Sequence, residues 1–498
     1  MSLLKNIAYT MGKKLMSIAV TGEILENKSY IENRIVQWLS SPSRRDQLNG
    51  DRYYRGDHDI LKKKRTVIGK DGEIKEVKNL PNNRKVDNQY ARMVDQKKNY
   101  LLAQPITFNS KNQAYVDVLN KIFNKKFKKI FKDMGEDSLN GGISWIYPYY
   151  NDLGELKFKN FPAHEVLPFW NDKAHTELNM AVRLYVEEKP DAINELDVIQ
   201  KVEIYTKNGV FYYTFENNRL VEDVKKPHEN YITVTSEDGN LGLNWERIPL
   251  VPFKANSKEI PLITKCKSIQ DGINEIISTF KNNLDEDTRN TILVLENYDG
   301  QDLGDFREKL AQYGVIKTRS GDGARGDVRT LSIQVDHNNY ESVLRMFKKA
   351  MFENCKGYDF TELRSNNDSP SQMNIKCVFA DIDLDANDMI TEFNASFEDL
   401  LWFVHQYCSN KGIGDFANEN VDIIFNKDML VNEVETLMSL VSAGVRISNK
   451  TLIEQVPFIN DIDEELKRIE EEKEAEMDVY GDALPTPQNG GDLNGNED

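Results

Sequence analysis

The residues with the clearest chemical spacing are Asp381-Ile382-Asp383-Leu384-Asp385 and Glu392, which set carboxylates at positions 1, 3, 5 and 12 of a calcium-loop pattern. A hard divalent cation takes its oxygen ligands from a loop of that spacing. The pattern fails at its turn, because position 6 is Ala386 where glycine is needed and position 8 is the charged Asp388. Flanking apolar residues keep helical spacing, so the run reads as an acidic helix face. The six histidines are dispersed, with no HExxH and no His-Cys cluster, which gives zinc chemistry little support. His405 reads as a packed or interfacial residue. Cys266, Cys355, Cys377 and Cys408 are far apart, lack CxxC pairing and fall mostly in apolar helical patterns, the setting of buried free thiols. No GxxxxGK[ST] phosphate loop occurs, and the turn Gly69-Lys70-Asp71-Gly72 lacks its spacing and helix context. Arg325-Gly326-Asp327 matches an adhesion tripeptide but sits in a Gly-rich turn, as a loop tip. Among 81 acidic residues no pair is singled out for acid-base work. The expectation is a chain that is not an enzyme, with no cofactor and no metal.

The elements that would carry these residues change in texture along the chain. Ile31, Ile35, Trp38 and Leu39 have helical spacing, and Ser40 to Arg45 breaks it. Asp51 to Lys85, with the run Lys62-Lys63-Lys64-Arg65 and little apolar periodicity, reads as an exposed basic loop. Asn88 to Ala103 returns to helix, ended by Gln104-Pro105 before a strand at Ile106-Thr107-Phe108. Val116 to Met134 reads as one amphipathic helix, docked by its aromatic stripe with a solvated lysine face; binding to a membrane or to phosphates is the alternative. Gly141-Gly142 stops it.

Ile143 to Pro252 consists of short β-branched and aromatic runs separated by turns, an antiparallel β region with charged loops. Ile263 to Arg289 is one long helix. A mixed excursion follows: strand Thr291 to Leu295, helix Asp302 to Gln312, strand Gly314 to Thr318 and a strand near Val328 to Val335. Helix resumes from Tyr340 to Cys355. A polar segment, Gly357 to Ser371, precedes a long helix from Gln372 to Cys408. Asn432 to Tyr480 reads as three helices, with a stop at Gly444, a cap at Ser448 and Pro457-Phe458 before the third. Asp482 to Asp498 has the composition of a disordered acidic tail.

The 498 residues allow about three domains or one elongated architecture. Hydrophobic residues make up 39% and charged residues 29%, enough for a core with a large wetted or interfacial surface. No apolar run approaches the ~20 residues of a spanning helix, and Lys5, Lys13 and Lys14 interrupt any signal-like start. A net charge of −17 argues against wrapping DNA by phosphate neutralisation.

From about Tyr30 to Glu474 the order of elements resembles the portal proteins of long-tailed, siphovirus-like phages of Gram-positive bacteria. The resemblance is carried by Tyr53-Tyr54-Arg55-Gly56, Met93-Val94-Asp95 with Tyr100-Leu101-Leu102 and Pro105-Ile106, Gly141-Gly142 before an aromatic strand, Pro162-Ala163 with Val166-Leu167-Pro168, and Ile248-Pro249 with Val251-Pro252-Phe253. Most telling are Ile292-Leu293-Val294-Leu295, Tyr298-Asp299-Gly300 with Asp302-Leu303, and Tyr313-Gly314 before Ile316-Lys317. One departure is Ser369-Pro370-Ser371-Gln372-Met373-Asn374, where relatives often carry a Ser-Gly-Val-like entry to the long helix.

The resemblance implies an elongated mixed α+β portal fold, with helical stem, spine and crown, an α/β clip and a wing containing antiparallel β structure. Its parts would be an N-terminal arm (1–29), wing (30–262), stem helix 1 (263–291), clip (292–336), stem helix 2 (337–356), tunnel loop (357–371), spine helix (372–411), crown (412–480) and acidic tail (481–498). It implies a dodecameric ring at one capsid vertex of the virion, assembled in the host bacterial cytoplasm, through which double-stranded DNA passes without sequence preference. Further partners would be the terminase large subunit as ATPase, capsid and scaffolding proteins, and head-tail adaptor proteins, with no membrane. Candidate channel residues are Arg364, Ser365, Asn366 and Asn367 in the tunnel loop, and Arg345, Lys348 and Lys349 on the second stem helix. Candidate clip contacts are Tyr298, Asp302, Arg307, Lys317, Arg319 and Arg325. The alternatives are a DNA-processing enzyme of the packaging apparatus, which needs an acidic metal constellation or a nucleotide loop, and another structural virion adaptor.

Overall fold

The computed structural model describes residues 28–68, 72–78, 80–188, 198–236, 239–287, 292–296, 327–331, 337–359, 372–427, 442, 448 and 465–472. The chain divides into two units, Met1–Ser365 with Val378–Asp428, and Asn366–Cys377 with Met429–Asp498. In the second unit the described residues are helical at 372–377 and 465–472.

The first unit opens with α1 (Lys28–Leu39) and α2 (Pro42–Tyr54). The second helix corrects the expectation of an irregular stretch at Ser40 to Arg45. Ser41 caps it by accepting from the Arg44 amide, and Pro42 occupies its first turn, where the missing N–H costs nothing. Asp51 to Lys85 is likewise more than an exposed basic loop. It contains the end of α2, with Tyr53 buried, a 3₁₀ turn at Asp59–Lys62, and a two-stranded ribbon of β1 (Thr66–Ile68) and β2 (Ile74–Glu76).

Next come α3 (Gln89–Leu102), β3 (Thr107–Asn109), α4 (Gln113–Ile122) and α5 (Lys125–Gly141). The single helix expected over Val116 to Met134 is therefore two. Asn124 breaks it by accepting the amide protons of Lys126 and Phe127, a local bond that competes with helix continuation. Gly142, at φ 80°, terminates α5; a Cβ there would lie 2.1 Å from the Glu259 carbonyl oxygen.

The β region holds β4 (Ile143–Tyr150), β5 (Leu156–Pro162), β6 (Val166–Trp170), β7 (Leu178–Glu188), β8 (Val198–Thr206), β9 (Gly209–Glu216), β10 (Arg219–Glu222), β11 (His228–Glu229), β12 (Ile232–Ser236), β13 (Gly239–Leu243) and β14 (Val251–Lys254). Every described strand pair is antiparallel. The largest sheet runs β10-β9-β8-β7-β6, with β11 also on β9. Its period-two alternation puts Val182, Leu184, Val202, Ile204, Phe211 and Phe215 in one core with Ile31 and Ile35 of α1.

The remaining elements are α6 (Lys267–Asp287), β15 (Ile292–Glu296), β16 (Asp327–Leu331), α7 (His337–Cys355), α8 (Gln372–Lys411) and β17 (Asp422–Ile424). Phe127 and Phe131 of α5, Phe253 of β14 and Phe393 and Phe397 of α8 meet edge to face, with centroids 5.2–6.4 Å apart. The lysines between them on α5 stay at the surface. Cys266, Cys355 and Cys408 are buried free thiols as expected, but Cys377 is exposed.

Candidate functional site

Two helices bracketing a small strand pair form the frame of the site. Asn283 donates to the Tyr340 hydroxyl at 2.9 Å, and a Cβ on Gly272 would lie 2.5 Å from the Phe347 ring. These pairings make α6 and α7 antiparallel. Gly272 is what lets them approach so closely. At the far end of the pair, β15 and β16 pair from Ile292↔Leu331 to Glu296↔Asp327.

The root of α6 is tied by a polar ladder. Gln270, Asn274, Ser278 and Asn282 stand four residues apart, on one helix face. Each accepts a backbone amide, three from the segment before α3 and one from the first turn of α3: Asn83 N to Asn282 at 2.7 Å, Lys85 N to Ser278 at 2.9 Å, Asp87 N to Asn274 at 3.0 Å and Tyr90 N to Gln270 at 2.9 Å. The segment is thus satisfied by side chains where a sheet or helix would use main chain. Asn274 also donates to His58 Nδ1 at 2.8 Å, while His58 Nε2 donates to the Tyr53 carbonyl at 3.0 Å. Both bonds suit the neutral ring, and burial lowers its pKa.

Charges surround this ladder. Lys267 bridges Asp59 at 2.5 Å and Asp271 at 2.8 Å, and Arg52 meets Asp59 at 2.5 Å. Partial burial works against ionisation of Asp59, but the bonds from Lys267 and Arg52 hold its carboxyl down at about 2. Tyr53 donates to Asp271, and burial followed by that bond pushes its hydroxyl up to about 12.

The chain leaving α7 is fastened to α3. Gln96 donates to the Tyr358 carbonyl at 3.0 Å and accepts from its amide at 3.3 Å. Lys97, a buried lysine, pairs with Asp385 of α8 at 2.6 Å, and Lys356 meets the same carboxylate at 3.1 Å. Burial opposes the charge on Asp385, yet Lys97 keeps its pKa below the usual range. Tyr100 donates to Asp383 at 2.7 Å, and the Tyr358 and Phe379 rings lie 4.7 Å apart. The chain just after α7 and the α8 residues Phe379, Asp383 and Asp385 are therefore gathered on α3.

Asp385 is paired with Lys97 and Asp383 with Lys427 from within an unbroken helix, and the calcium pattern has no loop to act in. Among the described residues no group of three or more His, Cys, Asp or Glu is placed to hold a metal ion. His405 is packed, 2.7 Å from the Tyr115 hydroxyl.

Of the channel candidates, Arg345 is exposed and paired with Glu341 at 2.8 Å, Lys348 is held by Asp87 at 2.7 Å, and Lys349 is exposed on the same helix. Arg364, Ser365, Asn366 and Asn367 lie outside the described residues. So do Tyr298, Asp302, Arg307, Lys317, Arg319 and Arg325, and most of Asn432 to Tyr480. Sequence reading missed the polar ladder, whose signal was four amide or hydroxyl side chains at every fourth position of an otherwise amphipathic helix. It also missed the Lys97–Asp385 pair, which has no local signal.

No described helix is long and apolar enough to cross a membrane. The model of the phage portal protein family, SPP1 Gp6-like, matches residues 43–478. The portal protein of Bacillus phage SPP1 is 28% identical over 456 residues, covering 91% of this chain and 88% of its own length. The portal protein of Clostridium phage phiCD119 is 25% identical over 454 residues, covering 88% and 95%. A looser likeness, TM-score 0.41 at 10% identity over 82% of this chain and 92% of the other, is to a chain in the neck of an empty GTA particle computed with C6 symmetry. At that score the assignment rests on sequence alone. With the match running through α6, the strand pair, α7 and α8, the chain belongs to the SPP1 Gp6-like family of phage portal proteins.

Proposed function

We propose that this chain is the subunit of a dodecameric portal ring at one capsid vertex, through which double-stranded DNA is packaged and later ejected. The observation that carries the reading is the antiparallel pair α6–α7 bracketing β15–β16, in a chain of the portal family. In this reading α6 and α7 are the stem, residues 292–336 the clip that docks the terminase large subunit and later the head-tail adaptors, 357–371 the tunnel loop, and 412–480 the crown inside the capsid. Capsid and scaffolding proteins would meet the β-rich part.

The chemistry favours transit over grip. A duplex held by many free cations is bound tightly and releases counterions, whereas an acidic surface with few cations leaves it mobile. Arg345 shares its charge with Glu341, so a passing phosphate would exchange for a carboxylate already in place. Lys349 adds a second cation one helical turn on, and Arg364, Ser365, Asn366 and Asn367 would line the narrowest part. Lys348, engaged by Asp87, serves the stem root. The chain itself does no chemistry in this reading, and an ATPase partner drives the motion.

The test uses proheads assembled with and without this chain, incubated with double-stranded DNA, ATP and the terminase of the same phage. DNase-protected DNA is expected only when the chain is present. Equal protection without it would overturn the reading.

A further inference from the structure

Among the described residues the ribbon β1–β2 pairs with no further strand. All six strand residues are exposed, including Ile68 at 79% and Ile74 at 75%, which face each other across the pair. A two-stranded ribbon with no third strand or helix beneath it is marginal in water. Its surroundings are basic: between Leu61 and Lys85 there are nine Lys and Arg against three Asp and Glu, in a chain of net charge −17. The combination of cations with exposed β-branched side chains fits a protein surface better than a phosphate backbone, which offers nothing to cover Ile68 and Ile74.

A surface of the opposite character lies on α8. From Cys377 to Asn410 the helix has seven Asp and Glu and no Lys or Arg. Asp383 and Asp385 turn inward to Lys427 and Lys97. Asp381, Leu384, Asp388 and Glu392 fall on one outer stripe, at spacings of three and four. Asp381, Leu384 and Asp388 are exposed, Leu384 at 62%, and none of the stripe's carboxylates makes an ion pair among the described residues. Both halves of a contact, basic with apolar and acidic with apolar, stand exposed on the same chain without meeting within it.

We propose that β1–β2 of one copy docks on the Asp381–Leu384–Asp388–Glu392 stripe of α8 in the neighbouring copy. Ile68 and Ile74 would cover Leu384, while Lys64 and Lys75 would exchange their present partners Glu76 and Glu73 for the stripe's unpaired carboxylates. Such a head-to-tail contact uses two different patches and closes when the copies form a ring. The proposal rests on the ring reading and adds a specific arm to it.

The experiment uses the full chain in a Cys377→Ser background, because the other three cysteines are buried. Ile74→Cys is placed in one tagged population and Leu384→Cys in a second, the two are co-assembled, and a short bis-maleimide is added. A crosslinked species carrying both tags is expected. In parallel, the Ile68→Ser, Ile74→Ser double variant should keep its melting temperature while moving from ring mass to monomer mass. Charge exchange, Lys64→Glu and Lys75→Glu with Asp381→Lys and Asp388→Lys, should restore assembly that either half alone weakens. Wild-type rings that persist in the serine variant without any two-tag crosslink would overturn the arm and leave the ring standing. Intact rings with impaired DNA packaging would assign the ribbon to DNA and equally overturn it. A wild-type chain that forms no ring would sink both readings together.

Discussion

In the sheet β6–β10, Val182, Leu184 and Ile204 are covered by α1 of the same chain, and on the opposite face Arg183 pairs with Glu165 and Glu203 while Lys201 pairs with Asp223. Around these residues both faces are completed from within, while Val186, Val198 and Val221 toward the ends and edge of the sheet stay exposed. The pair α6–α7 differs. Its inner face is closed by Ile273, Met351 and the polar ladder, but Met346 remains 68% exposed and Val343 stands beside it on the outer turn. The centre of one region is finished by its own sequence, whereas the middle of the other leaves Met346 and Val343 uncovered by the described chain. Substitutions in the first should change the stability of the chain, and substitutions on the outer face of the second should change assembly with little change in stability.

The largest effect is expected in a second interior closed within the chain, the phenylalanine cluster of α5, β14 and α8. Phe397→Ala empties the centre of the phenylalanine cluster and should cost about 3–5 kcal/mol, read by urea unfolding. A loss under about 1 kcal/mol would mean that the cluster repacks. Asn274→Leu tests whether the inner face of the helix pair is as tightly specified. It orphans the Asp87 amide and the His58 ring nitrogen, at about 1–3 kcal/mol for each unsatisfied group, and should raise the urea sensitivity accordingly.

Two carboxylates sharpen the contrast through pH. Burial, with Glu136, Asp51 and Asp133 nearby, pushes Asp137 up to about 7 although Asn160 donates to it. Between about pH 4, the unfolded value, and about 7 the folded chain holds a proton that the unfolded chain has released, so stability falls as pH rises through that window. Asp137→Asn should therefore raise the melting temperature at pH 8 and leave it unchanged near pH 4. Asp59, held at about 2 by Lys267 and Arg52 against its burial, has the opposite sign. Its contribution is present above about pH 4 and is lost as pH falls toward 2, and Asp59→Asn should flatten the acid limb of the melting curve. The smallest effect on stability is expected at Met346→Lys, within about 0.5 kcal/mol of wild type. The same variant should lose ring mass in light scattering, and retention of full ring mass would erase the distinction between the two regions.

Much of this division was legible in the sequence. The β-branched and aromatic runs between Ile143 and Pro252 marked an antiparallel β region, Asn88 to Ala103 marked a helix, and Gly141-Gly142 marked the end of another. What escaped was set at a distance or by competing local bonds. Asn124 carried a cap that outweighed a continuous apolar stripe, and Ser41-Pro42 started a helix with little hydrophobic content. Cys266 and Cys355 interact although 89 positions apart, and that bond, with burial behind it, raises the Cys266 pKa. Gln270, Asn274, Ser278 and Asn282 looked like ordinary polar positions, because three of their four partners are backbone amides of a segment with no periodicity of its own. The channel and clip candidates were chosen by family likeness, and of these Arg345, Lys348 and Lys349 stand together on α7.

The most direct test of a ring-forming portal subunit is the solution mass of the purified full chain by light scattering, with negative-stain images of the main peak. A single species of about twelve copies with an axial hole is expected; a monomer or dimer at every salt concentration, with no ring in the images, would contradict it.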